Sequence, residues 1–246
     1  MAIESLNNVL GKVKYRDKPR WLRRMINMAY YNEDMPLINR HGIDYVSMDD
    51  CKFVAEGPLD TFGHAGRDAW FSSLRKDDIF VDLGACIGSV AIPTAKRCKW
   101  VHAIEPLWGD ILNKNIELNK LSNVTVWAMG ICEGTSSGEV SYGKRRKIVA
   151  MVSWPLLKKA IGHIDFIKVD IEGFEWQNLH VEDLVDIRDI RIEFHIRRGR
   201  EGEDRRTLQA WQQRLQKSHN VEAEIRQGHL TNIIFSDVVY VKAEMR

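Results

Sequence analysis

The chain has 246 residues, 44% of them hydrophobic and 28% charged, with a formal net charge of +2. That length buries a sizeable core in one large α/β domain or two small ones. So near-neutral a charge selects no partner, and no apolar run is long enough to cross a bilayer, so no membrane partner is expected.

The opening stretch, MAIESLNNVLGKVKY, lacks a long apolar core followed by a small-residue cleavage site, so no signal peptide is expected. Cys51, Cys86, Cys98 and Cys132 form no CxxC pair and no metal-ligand spacing. They read as reduced thiols in a cytoplasmic protein.

Residues 1–78 read as an N-terminal cap on the main domain, 79–246. Within the cap, 18–34 reads as a helix with Leu22, Met25, Ile26 and Ala29 on one face. IDYVSM (43–48) and KFVAE (52–56) read as a hairpin turning at Asp49 and Asp50. DAWFSSLRK (68–76) reads as a helix leading into the first strand of the domain.

From residue 79 short apolar runs alternate with amphipathic stretches. IFVDL (79–83), WVHAIE (100–105), NVTVWAM (123–129), DFIKVD (165–170) and DIRIEFHI (189–196) read as strands. The segments 88–97, 109–120, 154–161, 173–185 and 203–217 read as helices, with Pro93 near the first turn of its helix. GEVSYGKRRKIVAMVS (138–153) reads as a hairpin with a basic turn. VEAEIRQ (221–227) and NIIFSDVVYVK (232–242) are joined too tightly for a parallel crossover, so they form an antiparallel pair. The fold class is α/β: a doubly wound, mostly parallel sheet ending in a C-terminal antiparallel hairpin, plus the cap.

In such sheets the ligand lies beyond the carboxyl ends of the strands. Gly84 and Gly88 follow the first strand as G-x-x-x-G. This is neither the GxGxxG of a dinucleotide site nor a P-loop. Glu105, at the end of the second strand, suits the ribose hydroxyls of an adenosine. The plainer alternative is that both glycines serve helix–sheet packing and Glu105 is an edge acid. The stretch DFIKVDIEGFEW carries Asp165, Asp170, Glu172 and Glu175. Asp170 ends its strand, whereas Glu172 and Glu175 begin a helix, where carboxylates are favoured by unpaired N–H groups. Asp165 lies at the opposite end of the strand and reads as solvent-facing. Glu193 and His195, two apart on the next strand, point the same way. Asp170, Glu193 and His195 are therefore the candidate catalytic residues, as an acid–imidazole base. A divalent cation on the three is the less favoured alternative, and no metal ligand is assigned.

FVDLGACIGS, AIEPLWGDILNKNIELNKLSNV and IDFIKVDIEGFEW occur in that order. Together they resemble the FkbM-type S-adenosylmethionine-dependent methyltransferases over roughly residues 55–195. The matching positions are Asp82, Gly84 and Ala85; Glu105 and Pro106; Asn115 to Asn119; and Lys168, Asp170, Glu172 and Gly173. The family commonly has Asn where this chain has Cys86. The resemblance implies a class I methyltransferase (Rossmann-like) fold, S-adenosylmethionine as cofactor with S-adenosylhomocysteine as product, and an oxygen acceptor. It implies that Asp82 and the turn of Gly84, Ala85, Cys86, Gly88 and Ser89 face the methionine part. Glu105 and Pro106 would hold the ribose, and Trp108, Met129 and Gly130 would flank the adenine. His64 would close over the cofactor.

Three clusters are basic: 12–24, with seven Lys or Arg against Asp17; GKRRK (143–147); and HIRRGR (195–200). The last should overhang the acceptor, favouring a small, sugar-like or anionic molecule. The first would suit RNA phosphates, and IPTAK and NIELNK resemble parts of archaeal-type tRNA guanine methyltransferases. RNA methylation is therefore the alternative enzyme reading, and a non-catalytic nucleoside-binding module is the alternative outside enzymes.

Overall fold

The computed structural model describes residues 37–40, 43–46, 71–142, 145–226 and 235–246. In the cap, β1 (Leu37–Arg40) pairs antiparallel with β2 (Ile43–Val46). The segment 52–56, expected to pair with 43–48, the 18–34 helix and His64 lie outside the described residues. Residues 71–76 form turns where a helix is expected, because they are tied to the sheet. Phe71 packs on Phe80 and Phe166, and Ser73 Oγ donates to Asp189 at 2.8 Å.

Among the described residues the central sheet has seven strands. Those from the first half are β3 (Ile79–Leu83), β4 (Trp100–Ile104) and β5 (Val124–Trp127). Those from the second half are β9 (Phe166–Val169), β10 (Asp189–Arg197), β11 (His219–Arg226) and β12 (Phe235–Met245). Their order is β11-β12-β10-β9-β3-β4-β5, and β12 runs antiparallel to both neighbours. β3, β9 and β10 are buried nearly throughout, as strands covered on both faces must be.

Period-two alternation divides the core. Phe80, Val101 and Ala103 pack with α1 (Ala91–Ala95) and α2 (Gly109–Leu118) on one face. Val81, Leu83, Ile167 and Ile192 pack on the other with α3 (Trp154–Ile161) and α5 (Glu201–Leu215). Leu208, Trp211 and Leu215 are the buried stripe of α5, as their spacing requires.

Two expected elements are broken. The strand expected over 123–129 ends at Trp127. Beyond Ala128, β6 (Met129–Ile131) joins β7 (Ser136–Tyr142) and β8 (Arg145–Val152) in a separate three-stranded sheet. The helix expected over 173–185 is reduced to α4 (Glu175–Asn178) and a 3-10 turn, Val181–Asp183. Asn178 Nδ2 donates to the Phe174 carbonyl at 2.8 Å, and Leu179 turns extended to bury its side chain. No helix among the described residues is long and apolar enough to cross a membrane.

Candidate active site

The chain leaves β3 toward β4 and β5 on one side, and returns to build β9 and β10 on the other. The carboxyl ends of β3 and β9 therefore flank the switch point, where open α/β sheets bind ligands.

The two loops meet there closely. Asp170 N donates to Leu83 O at 2.9 Å, and a Cβ on Gly84 would lie 1.8 Å from the Asp170 carbonyl oxygen. Gly84 also sits at φ +87. Its lack of a side chain thus serves the approach of β9. Gly88 likewise serves packing, since a Cβ would stand 2.8 Å from both Ile92 Cδ1 and Leu112 Cδ1. Ala85 between them and Ser89 just after them are buried, and Cys86 takes a left-handed conformation with φ 51. Asn115, from the second motif, is fully buried and donates to Ile87 O at 2.8 Å, pinning α2 to this turn.

Glu105 joins the two loops on the β3–β4 side. Its Oε2 accepts from Cys86 N at 2.7 Å, and its Oε1 accepts from Leu107 N at 2.7 Å and Trp108 N at 3.1 Å. Burial raises its pKa, and these three N–H groups oppose the rise. Pro106 lies beside Gly130, whose added Cβ would be 3.9 Å from the proline Cβ. Met129 begins β6 next to it. Trp108 is 6% exposed and packs within the core on the α1–α2 face.

On the β9–β10 side lies a dense charge cluster. Lys168 Nζ donates to Gly84 O at 3.0 Å and stands 3.3 Å from Asp82 Oδ1 and 3.5 Å from Asp170 Oδ2. Burial would discharge this ammonium; Asp82, Asp170 and Glu193 outweigh it and raise its pKa. His195 Nδ1 lies 3.2 Å from Glu175 Oε1. Its Nε2 lies 3.6 Å from Glu172 Oε2 and 3.9 Å from Asp170 Oδ1. Burial alone would lower the imidazole, but the Glu175, Asp170 and Glu172 charges push it up to about 10. Glu193 is driven well above the usual carboxylate range by burial and then by the Asp170 charge. Partial burial and the same neighbour push Glu172 up to about 7.

The geometry brings Asp170, Glu193 and His195 together, and also Asp82, which sits beneath them on Lys168. Three members of the cluster, Lys168, Glu175 and Glu172, lie outside the sequence assignment. Lys168 was detectable as a lone charge in an otherwise apolar strand. Glu175, read as a helix-start acid, is fully buried; its Oε1 accepts from Ile171 N and Gly173 N and orients His195. Glu172 sits at φ 54 and is half-exposed at the rim. Asp165 is tied to the far end of the sheet, where its Oδ2 accepts from Ile79 N at 2.8 Å. Of the HIRRGR cluster, Arg197 is engaged by the buried Asp204, which also accepts its backbone N–H.

No family model matches the chain. It is 27% identical over 142 residues to a probable cobalt-precorrin-6B C(15)-methyltransferase (decarboxylating) of Methanocaldococcus jannaschii. That stretch covers 56% of this chain and 69% of the relative. Among solved structures, the precorrin 8W decarboxylase of Methanobacterium thermoautotrophicum superposes with a TM-score of 0.51 at 17% identity, over 77% of this chain and 92% of that one. Trm5b of Pyrococcus abyssi superposes with a TM-score of 0.52 at 16% identity, over 87% of this chain and 56% of that one. At such identities the structural likeness speaks for the fold. In fold and in sequence likeness the chain stands with the class I S-adenosylmethionine-dependent methyltransferases.

Proposed function

We propose that the chain transfers a methyl group from S-adenosylmethionine to an oxygen of a small, sugar-like or anionic acceptor. The observation that carries this reading is the convergence of the glycine turn, Glu105 and the Asp170–Glu193–His195 cluster on one switch point. The FkbM resemblance, which rests on motifs at these same positions, supports the oxygen acceptor.

Glu105 is the ribose ligand in this reading. Three of its roughly four acceptor positions are taken by backbone N–H groups, which leaves one for a hydroxyl. Pro106, Met129 and Gly130 form the adjoining wall for the base. The turn Gly84–Ser89 and Asp82, held through Lys168, stand on the methionine side. Asp170, with its side chain 25% exposed, faces the acceptor. The S–CH3 bond breaks as the O–CH3 bond forms in line, and the acceptor proton passes to the Asp170 carboxylate.

Calorimetry with S-adenosylmethionine and S-adenosylhomocysteine tests the reading. Both should bind the wild type, and Glu105→Ala should weaken binding by about ten-fold, the loss of one charged hydrogen bond. No binding by the folded wild type overturns it. Methylation at carbon is the second reading, favoured by the sequence likeness to a C(15)-methyltransferase. A methyl-label screen of fractionated lysate, with and without RNase, separates small-molecule from RNA acceptors, and mass spectrometry of the product separates oxygen from carbon.

A further inference from the structure

We propose that Asp170, Glu193 and His195 form a binding site for one divalent transition-metal cation at the carboxyl edge of the sheet. One ligand atom from each residue lies within 4.8 Å of the other two. Ligand atoms around a four-coordinate cation with bonds of about 2.0–2.2 Å stand roughly 3.3–3.6 Å apart, so the set would close by about 1 Å on binding.

Three further features support the site. Glu193 is 2% exposed, and its Oε1 is buried without a hydrogen-bond partner. A buried carboxylate oxygen left in that state is costly unless a ligand satisfies it. Glu193 and His195 project from the same face of β10, which pairs with β12 at both positions, so two of the three ligands are pre-positioned. Finally, Glu175 occupies Nδ1 of His195 and is itself held by two backbone N–H groups. This carboxylate–imidazole arrangement directs Nε2 toward Asp170 and Glu172, as outer carboxylates orient metal-bound histidines.

Five carboxyl groups, of Asp82, Asp170, Glu172, Glu175 and Glu193, gather around the two basic side chains Lys168 and His195. Asp170 and Glu172 are the more open members, so coordination positions on that side remain for water or an acceptor oxygen. One imidazole nitrogen with two carboxylate oxygens suits Mn2+, Fe2+ or Zn2+ better than Mg2+ or Ca2+, which take oxygen ligands.

The test is calorimetric titration of the chelator-stripped full chain with Mn2+, Zn2+ and Mg2+ in turn. One equivalent of Mn2+ or Zn2+ should bind, with Mg2+ about ten-fold weaker or more. Glu193→Gln and Asp170→Asn should abolish that equivalent, while Glu175→Gln should weaken it by about ten-fold. Circular dichroism and thermal unfolding of each variant report whether it is folded. No binding by the wild type overturns the proposal, as does binding that Glu193→Gln and Asp170→Asn leave unchanged. The site shares Asp170 with the methyltransferase reading but rests on ligand geometry. S-adenosylmethionine binding without cation binding would sink this proposal and leave that reading intact.

Discussion

At the scale of single residues, burial decides which chemistry is open to each group. Cys98 is 8% exposed, and burial followed by the nearby Asp78 charge pushes its thiol up to about 11. The thiolate is the reactive form, so at pH 8 Cys98 is almost wholly protonated. Iodoacetamide at pH 8, followed by peptide mass spectrometry, should therefore modify Cys98 more slowly than Cys86 or Cys132 in the native chain; equal rates would contradict the burial. Lys168 makes the same point within the site. It is the cation that joins β3, β9 and the glycine turn, and Lys168→Met would leave Asp82 buried without its counter-charge. A loss of about 3 kcal/mol in urea unfolding is expected, from the cost of stranding a buried charge.

At the scale of elements, the loops at the switch point are built by close approach. Gly84→Ala should destabilise the chain by about 3 kcal/mol or more, since its Cβ meets main-chain oxygen and its φ is +87. Gly134→Ala, with nothing within 4 Å of the added carbon, should be close to neutral. Chemical denaturation of the pair checks both, and similar losses would contradict the tight contact at Gly84. Strands were the most legible elements in the sequence. β3, β9 and β10 are short apolar runs whose ends were readable to within a residue or so. The segment 173–185 was not legible as two pieces, because its apolar spacing is helical. The break depends on the Asn178 side chain and on where Leu179 finds its core.

At the scale of the whole molecule, the sheet is held at both ends by charge. Opposite the candidate site, Arg188 donates to both Asp78 oxygens at 2.7 and 2.8 Å and to Asp189 at 2.7 Å. Arg191, fully buried, reaches Glu244 Oε1 at 2.8 Å and Ser73 Oγ at 3.2 Å. These bonds join the segment before β3 to β10 and β12. Arg188→Met would leave Asp78 buried without this counter-charge and Asp189 with Arg191 at 3.7 Å, at a cost of about 3 kcal/mol. Because the network lies at the far edge, S-adenosylmethionine affinity measured on the folded fraction should stay at the wild-type value. A parallel fall in affinity would mean that the two edges are coupled.

By itself, the sequence determined the alternation of strands and helices, the antiparallel final pair, and the order of motifs along the chain. Those follow from local periodicity and from the loop lengths that connect neighbouring strands. It also placed Asp170, Glu193 and His195 in one neighbourhood, since strand ends and a two-residue spacing suffice for that. Only the tertiary structure decided what each acid does. Glu175 became the buried partner of His195, Glu105 the tie between two turns, Asp165 an anchor at the opposite edge, and Lys168 the common counter-charge. The same carboxylate is a cap, a ligand or a strut according to which backbone and which charge the fold brings within 3 to 4 Å, and that distance is set by strand order, which no local pattern encodes.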